Sequence, residues 1–414
     1  MSRHLLSLLF ILLALWPLPV ALYAQAISFP KPAGLRDAVD FWKKVFTRYG
    51  YGEVILFDPM DLATIYSVLR VPDSEQGRLL VGKERARITT AYDLVDEARI
   101  RSQRGAKEPF SDGLRLSGRY IGQMQKIFRD EGLPAELAYL PLVESSFNVR
   151  ARSGAGAVGI WQFIPETGKK FMRIDDKVDE RRDPMASTRA AARLLRENYR
   201  ILGSWPLAIT AYNHGTEGIF RGVDRVGSRD LVQLIRRYRA PSFGFASKNF
   251  YAEFLAVVEI ATQPEKHFPL LRLHRPVALR EVEVKRATAL DAVLKPAAIS
   301  QGDFFHWNPA LEEGSKIIPA GYRMNLPAEK IQPFLMAQRR ALATTVKSPA
   351  GAARKADAQA VTAQRSRKST ANHGAARKVD AVDSFTADNR ADARTKEEVV
   401  KDLMARRSLK VAAR

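Results

Sequence analysis

Residues 133 to 168 read LPAELAYLPLVESSFNVRARSGAGAVGIWQFIPETG, and this stretch decides how the rest of the chain is interpreted. Its apolar residues fall near helical spacing, and Pro134 suits a first helical turn. Glu144 stands at the end of that run. Apolar surroundings and the negative end of a helix both disfavour a charged carboxylate, so we expect the pKa of Glu144 to be raised. That property suits a general acid, although most glutamates at helix ends are exposed surface residues.

A serine- and glycine-rich loop follows Glu144. Its small residues leave the backbone bare, so the loop can approach a ligand closely and offer N–H donors. These residues are Ser153, Gly154, Gly156 and Gly159. The same composition is typical of an ordinary flexible turn. Beyond the loop, Trp161 and Phe163 suit either stacking on sugar faces or burial in the core, while Gln162 offers a donor and an acceptor to hydroxyl or amide groups.

A second cluster lies at residues 205 to 218, which read WPLAITAYNHGTEG. An apolar helix is predicted to end near Tyr212 and Asn213, where their polar groups would be placed to orient a substrate. The structural alternative is a helix C-cap formed by Asn213 and Gly215. We expect His214 to be a surface or capping residue.

The two clusters carry ordered motifs that resemble those of the soluble lytic transglycosylases, and most of all the membrane-bound murein transglycosylase D type. The motifs are Glu144-Ser145-Ser146-Phe147, Gly154-Ala155-Gly156-Ala157-Val158-Gly159-Ile160-Trp161-Gln162-Phe163 and Ala211-Tyr212-Asn213-His214-Gly215. The resemblance covers residues 115 to 265. These enzymes share the goose-type lysozyme fold, so the resemblance implies a mainly α protein with a lysozyme-like helical catalytic domain.

The resemblance implies a role for each matching residue. The family's single catalytic glutamate falls on Glu144, and its sugar-contacting loop serine falls on Ser153. The expected substrate-binding residues are Ser153, Gly159, Gln162, Tyr212, Asn213 and Tyr251. Tyr251 is included because a fourth motif, usually Asn-Tyr, is similar to Asn249-Phe250-Tyr251, where the hydroxyl is missing at the aligned position or shifted by one residue. His214 departs from the family pattern, because a small residue is common there.

The implied reaction needs only one carboxylate. Glu144 protonates the oxygen between N-acetylmuramic acid and N-acetylglucosamine, then accepts the proton of the muramyl C6 hydroxyl, which closes a 1,6-anhydro ring. This differs from the two-carboxylate scheme of most glycosidases. No second Asp or Glu lies between Glu144 and Ile164. The acids farther along that can fold back are Asp179, Glu180 and Asp183, although Asp183-Pro184 is also typical of an N-cap before a helix over 187–201.

The N-terminus and the cysteine count predict an exported protein. Arg3 and His4 precede a leucine-rich run, and Ala24-Gln25-Ala26 offers a small-x-small cleavage site, so residues 1–26 are predicted to be a cleaved signal peptide. The chain has no cysteine, which excludes disulfides, a lipoprotein attachment site and thiolate metal ligands. We therefore expect a protein of the periplasm or cell envelope that is not a lipoprotein. Its 6 histidines are scattered, so no metal or other cofactor is expected.

The formal charge of +21 at pH 7 draws the chain to polyanions, which include nucleic acid, anionic lipid and the cell wall. Residues 346–414 hold 16 Lys and Arg against 8 Asp and Glu. This Ala-rich segment has one aromatic residue, Phe385, and is expected to be disordered. It would either associate with the cell wall or membrane surface, or only keep the protein soluble. No nucleic-acid partner is expected, because the export signal opposes it.

Composition and periodicity divide the chain into five segments. They are the signal peptide at 1–26, an N-terminal α+β or helical segment at 27–110, the transglycosylase domain at 111–268, a LysM-like α+β module at 269–330 and a basic tail at 331–414. Within the second segment, Phe41, Trp42 and Phe46 predict a helix, and strands are predicted at 54–57 and 64–69. We expect two helices within 77–131 that pack on the catalytic domain, and at least four within 187–262.

The segment after Pro269 resembles a degenerate LysM module, a strand–helix–helix–strand unit that binds N-acetylglucosamine polymers. The matching elements are Asn308-Pro309 and the Pro319 to Pro327 stretch. A strand is predicted over 282–284, with short helices over 289–294 and 296–299. Glycan binding and a purely structural role both stay open for this module.

These observations predict a lytic murein transglycosylase, a carbon–oxygen lyase that acts on the glycan strands of peptidoglycan during cell-wall remodelling. Two alternatives stay open. One is a lysozyme-type hydrolase, which uses water in place of the C6 hydroxyl. The other is a non-catalytic peptidoglycan-binding protein that retains the groove.

Overall fold

The computed structural model describes residues 29–346 apart from Val95 and Val277. The predicted signal peptide at 1–26 and the predicted tail from residue 347 onward lie outside the described residues. Helices dominate the described part of the chain, which confirms the mainly α prediction. None of the described helices is both long and apolar enough to cross a membrane.

The N-terminal segment combines a helix with a small antiparallel sheet. Its elements are α1 (Arg36–Thr47), β1 (Glu53–Asp58), β2 (Asp61–Arg70), α2 (Glu75–Ala91) and β3 (Arg101–Arg104). The strand order is β2-β1-β3, and the central strand β1 is almost entirely buried because its residues are apolar. Asp58 closes the turn after β1 by accepting a hydrogen bond from the Met60 amide at 2.8 Å. The predicted helix and both predicted strands are confirmed.

The prediction of two helices within residues 77 to 131 is wrong. The structure has α2, then β3, then two more helices, α3 (Lys107–Ser117) and α4 (Ile121–Asp130). Leu79 and Leu80 of α2 are 62% and 41% exposed, so they do not form a buried face. Ile88 is the apolar residue that α2 buries, and it packs on the small sheet, in a cluster with Val54 and Leu56 of β1.

A group of helices follows α4. A 3-10 helix at Ala135–Tyr139 continues directly into α5 (Leu140–Glu144). The next helices are α6 (Pro165–Gly168), α7 (Pro184–Leu202), α8 (Trp205–His214), α9 (Thr216–Val226), α10 (Leu231–Arg237) and α11 (Phe245–Thr262). Asp183 accepts hydrogen bonds from the amides of Met185 and Ala186, both at 2.8 Å, so the predicted N-cap of α7 is confirmed.

The helix α11 runs through the centre of this group. It is apolar on nearly all sides and is buried along most of its length, as expected of a helix without a polar face. The helices α1, α5 and α8 contact it. Trp42 of α1 donates from Nε1 to Oδ1 of Asn249 in α11 at 3.3 Å. One continuous apolar core therefore spans the N-terminal segment and the helical group.

The C-terminal unit has its own core. Its elements are β4 (Leu279–Glu283), β5 (Thr288–Ala289), α12 (Asp291–Ala297), α13 (Gln301–Trp307), β6 (Ile317–Ile318), β7 (Arg323–Pro327) and α14 (Ala328–Val346). The strand β4 pairs antiparallel with β7, and β5 pairs with β6. The helix predicted over 296–299 is wrong, because Pro296 lies inside α12 and left-handed Ala298 ends it. Ser300 then caps α13. The helix α14 also continues past residue 331, the predicted start of the tail.

The C-terminal unit is docked on the segment that precedes α7. Val178 packs in the core of the C-terminal unit, and the amide of Asp179 donates to the carbonyl of Ala310 at 2.8 Å. Arg189 of α7 forms an ion pair with Glu281 of β4 at 2.7 Å. The segment before α7 therefore contacts the C-terminal unit directly.

Candidate active site

Glu144 is the last residue of α5. The buried leucines of this short helical stretch, Leu137, Leu140 and Leu142, anchor it in the core. The Glu144 side chain is half-buried. Although part of the side chain reaches solvent, the protein atoms around the carboxyl desolvate it and raise its pKa to about 8. Glu144 is therefore mostly protonated at neutral pH, as the sequence predicted.

The turn after Glu144 has a strained backbone. Ser146 and Phe147 both lie in the left-handed region, with φ of 50° and 58°. Such residues cost roughly 1 to 3 kcal/mol each and persist where surrounding contacts hold them. Here Phe147 is only 1% exposed, and Ser145 donates from Oγ to the carbonyl of Ile160 at 2.9 Å. The strained turn thus ties the end of α5 to the loop that follows.

The glycine-rich loop forms a compact turn, closed by two isolated antiparallel bridges, Arg152 to Val158 and Val158 to Phe163. Ser153 is buried, and its hydroxyl oxygen accepts a hydrogen bond from the Ala157 amide at 3.0 Å. The Ser153 amide donates to the Ala157 carbonyl at 2.9 Å. The loop is thus held by its own hydrogen bonds.

Arg181, which the sequence analysis did not single out, braces this loop. Its guanidinium donates to the carbonyls of Gly156 and Phe163 at 2.9 and 3.1 Å, and it pairs with Asp179 at 2.8 Å. Gly159 has φ +78°, and an added Cβ would lie 2.0 Å from the Arg181 carbonyl oxygen. Glycine is therefore required there by close approach of the backbone. The alternating charges around Arg181 resemble a solvated surface, so the sequence carried no clear signal for its role.

Trp161 and Gln162 hold the end of the loop. Trp161 is fully buried and donates from Nε1 to Oγ1 of Thr188 at 2.9 Å. Of the two roles considered for Trp161, stacking on a sugar and burial in the core, the structure shows burial in the core. Gln162 has φ 48° and is half-buried. Its side-chain amide donates to the Gly159 carbonyl at 2.8 Å.

Tyr212 connects α8 to this loop. Its hydroxyl donates to the Trp161 carbonyl at 2.8 Å, and its ring contacts the rings of Trp161 and Phe163. Burial, and then the negative charge of Glu144, raise the pKa of Tyr212 well above its usual value. The structure therefore brings Tyr212 into electrostatic range of Glu144, and its phenol stays protonated.

Asn213 and His214 are linked through α11. Ser247 donates from Oγ to Oδ1 of Asn213 at 2.8 Å and lies 3.3 Å from Nδ1 of His214. The expectation that His214 is a surface or capping residue is wrong, because it is 8% exposed and the C-cap of α8 is Gly215. Burial, followed by the nearby Arg221 charge, lowers its pKa. Gly218 leaves room for the imidazole, since a Cβ there would lie 2.5 Å from Nε2.

The prediction that Tyr251 binds substrate is wrong. Tyr251 is 0% exposed, and its hydroxyl donates to the carbonyl of Pro30, a residue that precedes α1, at 2.8 Å. Phe250, at the aligned position, is also buried. The fourth motif therefore supplies core residues. A helix that is buried on nearly every side has no free face for two consecutive aromatic residues to reach a groove.

The acids considered as partners for Glu144 have other contacts. Asp179 pairs with Arg181, Glu180 accepts from the Arg173 amide at 2.7 Å, and Asp183 caps α7. Instead α11 contributes Glu253, which is 5% exposed. Burial, and then the charge of Glu144, raise the pKa of Glu253 to about 8. Glu253 was not predicted from the sequence, where its only signal is a glutamate within the apolar run FYAEFLAVVEI.

Residues 123–233 match the transglycosylase SLT domain family. Over 153 residues the chain is 38% identical to a protein of Alteromonas sp. (strain M-1) named for tributyltin chloride resistance. The alignment covers 36% of this chain and 72% of that protein. The chain belongs to the transglycosylase SLT domain family. The family match runs from α4 into α10, so it includes Glu144, the loop and Tyr212, but not Glu253.

Other family members are similar over shorter stretches. Membrane-bound lytic murein transglycosylase D of Escherichia coli (strain K12) is 41% identical over 104 residues, which cover 25% of this chain and 22% of that protein. The chain therefore spans less than a quarter of that relative's length. Among solved structures, the 70 kDa soluble lytic transglycosylase Slt70 of Escherichia coli is 19% identical, with a TM-score of 0.31 over 37% of this chain and 25% of that one.

Proposed function

We propose that this SLT-domain chain is a peptidoglycan lytic transglycosylase that cleaves the β-1,4 bond between N-acetylmuramic acid and N-acetylglucosamine and leaves 1,6-anhydro ends. The observation that carries the proposal is Glu144, whose pKa of about 8 keeps a carboxyl proton available at neutral pH. It lies within the family match and is tied through Ser145 to the loop braced by Arg181. The name of the Escherichia coli relative supports the same substrate.

In the proposed reaction, Glu144 donates its proton to the glycosidic oxygen while the bond from that oxygen to muramyl C1 breaks. Positive charge develops at C1, and the N-acetylglucosamine leaves with a new hydroxyl. The carboxylate then accepts the proton of the muramyl C6 hydroxyl, whose oxygen bonds to C1. One proton leaves Glu144 and one returns, so no water is consumed. A carboxyl with a pKa near the working pH suits both the donation and the recovery.

Four polar side chains are proposed to bind the sugar: Ser153, Gln162, Tyr212 and Asn213. Tyr212 is supported by its electrostatic interaction with Glu144. Asn213 is supported by Ser247, which occupies Oδ1 and so fixes the orientation of the amide. We do not include Gly159 among the proposed sugar-binding residues, because its close approach to the Arg181 backbone already explains why a glycine is needed there.

We also propose that the C-terminal unit is a degenerate LysM-like module. The order β4, α12, α13, β7 with antiparallel pairing of β4 and β7 supports this. Its docking on Asp179 supports a structural role beside glycan binding. Binding of the full Glu144→Gln chain to N-acetylglucosamine polymers that lack muramic acid tests the second role. If no binding is seen, the module has only the structural role of docking on the segment before α7.

We further propose export to the periplasm or cell envelope, with the basic tail holding the protein on the cell wall or membrane surface. The charge of the tail supports this association. Fractionation of cells that produce the full chain, followed by salt extraction of the envelope, tests both parts. A chain that stays in the cytoplasm would contradict export, and retention in the envelope at high salt would contradict an electrostatic attachment.

Glu253 favours a second candidate function, a lysozyme-type hydrolase. Most glycosidases use two carboxyls, of which the second acts on water or on C1. Glu253 supplies a second carboxyl within electrostatic range of Glu144, and its charged form, which predominates above its pKa of about 8, would be the one that acts on water. The two candidates differ in their products, since hydrolysis leaves reducing ends and transglycosylation leaves anhydro ends.

One experiment tests both candidates. Purified sacculi are digested with the wild-type chain and with Glu144→Gln, and the released ends are identified by mass spectrometry. We expect anhydro ends, lighter than reducing ends by one water, and none from the variant. Reducing ends would establish the hydrolase, and equal release by the variant would remove Glu144 from the mechanism.

A further inference from the structure

His214 lies where α8, α9 and α11 meet, and one of its ring nitrogens has no partner. It is the last residue of α8 and is 8% exposed. Phe243, which precedes α11, contacts the imidazole edge to face, with ring centroids 5.1 Å apart. On the side of α9, a Cβ at Gly218 would lie 2.5 Å from Nε2. The ring is therefore enclosed, and Nε2 makes no hydrogen bond within the described part of the chain.

The other ring nitrogen belongs to a chain of three polar groups. Nδ1 of His214 lies 3.3 Å from Oγ of Ser247 in α11, and the same Oγ donates to Oδ1 of Asn213 at 2.8 Å. The Oδ1 of an amide only accepts, and a serine hydroxyl has one proton. Because Ser247 gives that proton to Asn213, Nδ1 of His214 has to carry the ring proton and donate it to Oγ. This leaves Nε2 unprotonated, in agreement with its lack of a hydrogen bond.

The Ser242 carbonyl is the competing acceptor for the ring proton, since it also acts on the imidazole. If Nε2 carried the proton toward that carbonyl, Nδ1 would compete with Asn213 for the Ser247 hydroxyl. The 2.8 Å contact of the hydroxyl with Asn213 is shorter than its 3.3 Å contact with Nδ1, so its proton points to Asn213. Burial and the Arg221 charge both oppose a charged imidazole, so the ring stays neutral.

We propose that His214 is a positioning residue that holds the Ser247 hydroxyl through Nδ1–H and so fixes which end of the Asn213 amide faces the sugar. With Oδ1 bound to Ser247, Nδ2 is the end that remains for a ligand, and it donates to an acceptor oxygen of the sugar. An amide that turned over would present an acceptor instead and would lose that bond. The effect on the sugar rests on the proposed function, whereas the protonation state of the His214 ring does not.

The activity test uses two replacements that each keep one nitrogen position. The side-chain amide lies at the level of Nδ1 in His214→Asn and at the level of Nε2 in His214→Gln. We expect His214→Gln and Ser247→Ala each to lower kcat/KM on soluble glycan strands by about three- to tenfold, the size of one neutral hydrogen bond. His214→Asn should stay within about twofold of wild type. The double variant of His214→Gln and Ser247→Ala should be no worse than Ser247→Ala alone, because both act on one amide.

Thr210→Val is the matched control, because Thr210 has a buried hydroxyl on the same helix that donates to the Pro206 carbonyl of that helix at 2.7 Å. It should leave kcat/KM unchanged, and thermal unfolding identifies the variants that are folded at the assay temperature. Equal losses in His214→Asn and His214→Gln would make His214 a packing residue and overturn the proposal. Unchanged kcat/KM in Ser247→Ala would overturn it as well.

A second measurement does not use activity. Nitrogen-15 NMR shifts distinguish a protonated from an unprotonated ring nitrogen, and the His214 signals, among those of 6 histidines, are the ones lost in both His214 variants. We expect Nδ1 to be protonated and Nε2 unprotonated in the full-length wild type, with a change toward the Nε2-protonated form in Ser247→Ala.

A protonated Nε2 in the wild type overturns the proposal. If the wild-type chain releases no muropeptides, the proposed function fails, while the NMR shifts still decide the contact between His214 and Ser247. If it releases them but Nε2 carries the proton, only the inference about His214 fails.

Discussion

Asn325 donates from Nδ2 to Oδ2 of Asp183 at 2.8 Å, so the last strand of the C-terminal unit binds the N-cap residue of α7. The other oxygen of Asp183 accepts the two amides of the α7 N-cap. Two residues before Asp183, Arg181 holds the glycine-rich loop. The C-terminal unit is thus connected to the candidate active site through a segment of only a few residues.

The Asp183 link predicts a loss of stability larger than that of a lone cap. Asp183→Ala removes the N-cap of α7, worth about 1 to 2 kcal/mol. It also removes one of the two acceptors of the buried Asn325 amide, which keeps its 3.2 Å bond to the Trp307 carbonyl, at about 1 to 3 kcal/mol more. Asp230→Ala is the matched control, because Asp230 caps α10 at an exposed position. We expect about 1 kcal/mol there. Urea unfolding at one pH measures both, and equal losses would mean that the Asn325 bond contributes nothing.

Replacing Arg181 should loosen the loop. Arg181→Met breaks a largely buried ion pair and removes one hydrogen bond from each of the carbonyls of Gly156 and Phe163, so we expect about 3 kcal/mol lower stability. We also expect kcat/KM to fall by about tenfold or more, because the loop lies beside Glu144. Arg182→Met is the control, since Arg182 is more exposed and lies 3.9 Å from Asp179. Similar effects of the two substitutions on thermal unfolding would contradict the bracing role.

The close contact between Gly159 and Arg181 predicts that any side chain at position 159 lowers stability. Gly159→Ala places a methyl group against the Arg181 carbonyl oxygen at positive φ, and should cost about 2 to 4 kcal/mol. In the same loop, Gly154 has nothing within 4 Å of an added Cβ. Gly154→Ala should therefore change stability by about 0.5 kcal/mol or less. Denaturant unfolding of the two variants checks the contrast, and a neutral Gly159→Ala would show that the backbone moves away easily.

Tyr212 and Tyr251 should respond differently to loss of their hydroxyls. Tyr212→Phe removes the bond to the Trp161 carbonyl beside Glu144, so we expect kcat/KM to fall by about one order of magnitude. Tyr251→Phe removes a buried bond to the Pro30 carbonyl, at about 1 kcal/mol of stability, and should leave kcat/KM unchanged. Muropeptide release and thermal unfolding are measured for both. A loss of activity in Tyr251→Phe with normal stability would restore Tyr251 to the site.

The raised pKa of Glu144 predicts that Glu144→Gln stabilises the fold at neutral and alkaline pH. The folded protein holds this proton up to a pKa of about 8, above the ordinary value of 4.5, so folding binds a proton between those values. Wild-type stability should therefore fall as pH rises from 4.5 to 8. The variant should not show this loss, because glutamine does not titrate. We expect no difference at pH 4 and a gain on the order of 2 to 4 kcal/mol at pH 8. A constant difference between pH 4 and pH 8 in chemical unfolding would mean that Glu144 titrates normally.

Local patterns along the chain were enough for much of the fold and for the centre of the site. Apolar spacing predicted α1, β1 and β2, and the Asp-Pro pair predicted the N-cap of α7. The placement of Glu144 at the end of an apolar helical run predicted a raised pKa, because desolvation follows from neighbours that are close in sequence. Its proximity to Tyr212 was expected from the resemblance, which relates segments far apart in the chain.

Other residues depended on contacts between distant segments. Tyr251 is buried because α11 is enclosed on nearly every side, and His214 of α8 is buried because it packs against Phe243 and Ser247 from a distant segment. Arg181 resembles a surface residue until the loop carbonyls of Gly156 and Phe163 are brought to its guanidinium. The helix count at 77–131 was wrong for the same reason, because β3 forms by pairing with the distant strand β1. The helix predicted over 296–299 was wrong for a local reason, since left-handed Ala298 ends α12 and Ser300 caps α13.

By itself the sequence determined that this is a mainly helical chain with one acid, Glu144, held protonated by the apolar helix that ends in it. Only the tertiary structure decided that a second acid, Glu253, lies within electrostatic range of the first. The physical reason is that a helix pattern reports which residues share one element, whereas desolvation and charge coupling depend on which elements pack together. The 108 positions between the two glutamates carry no local signal of that packing.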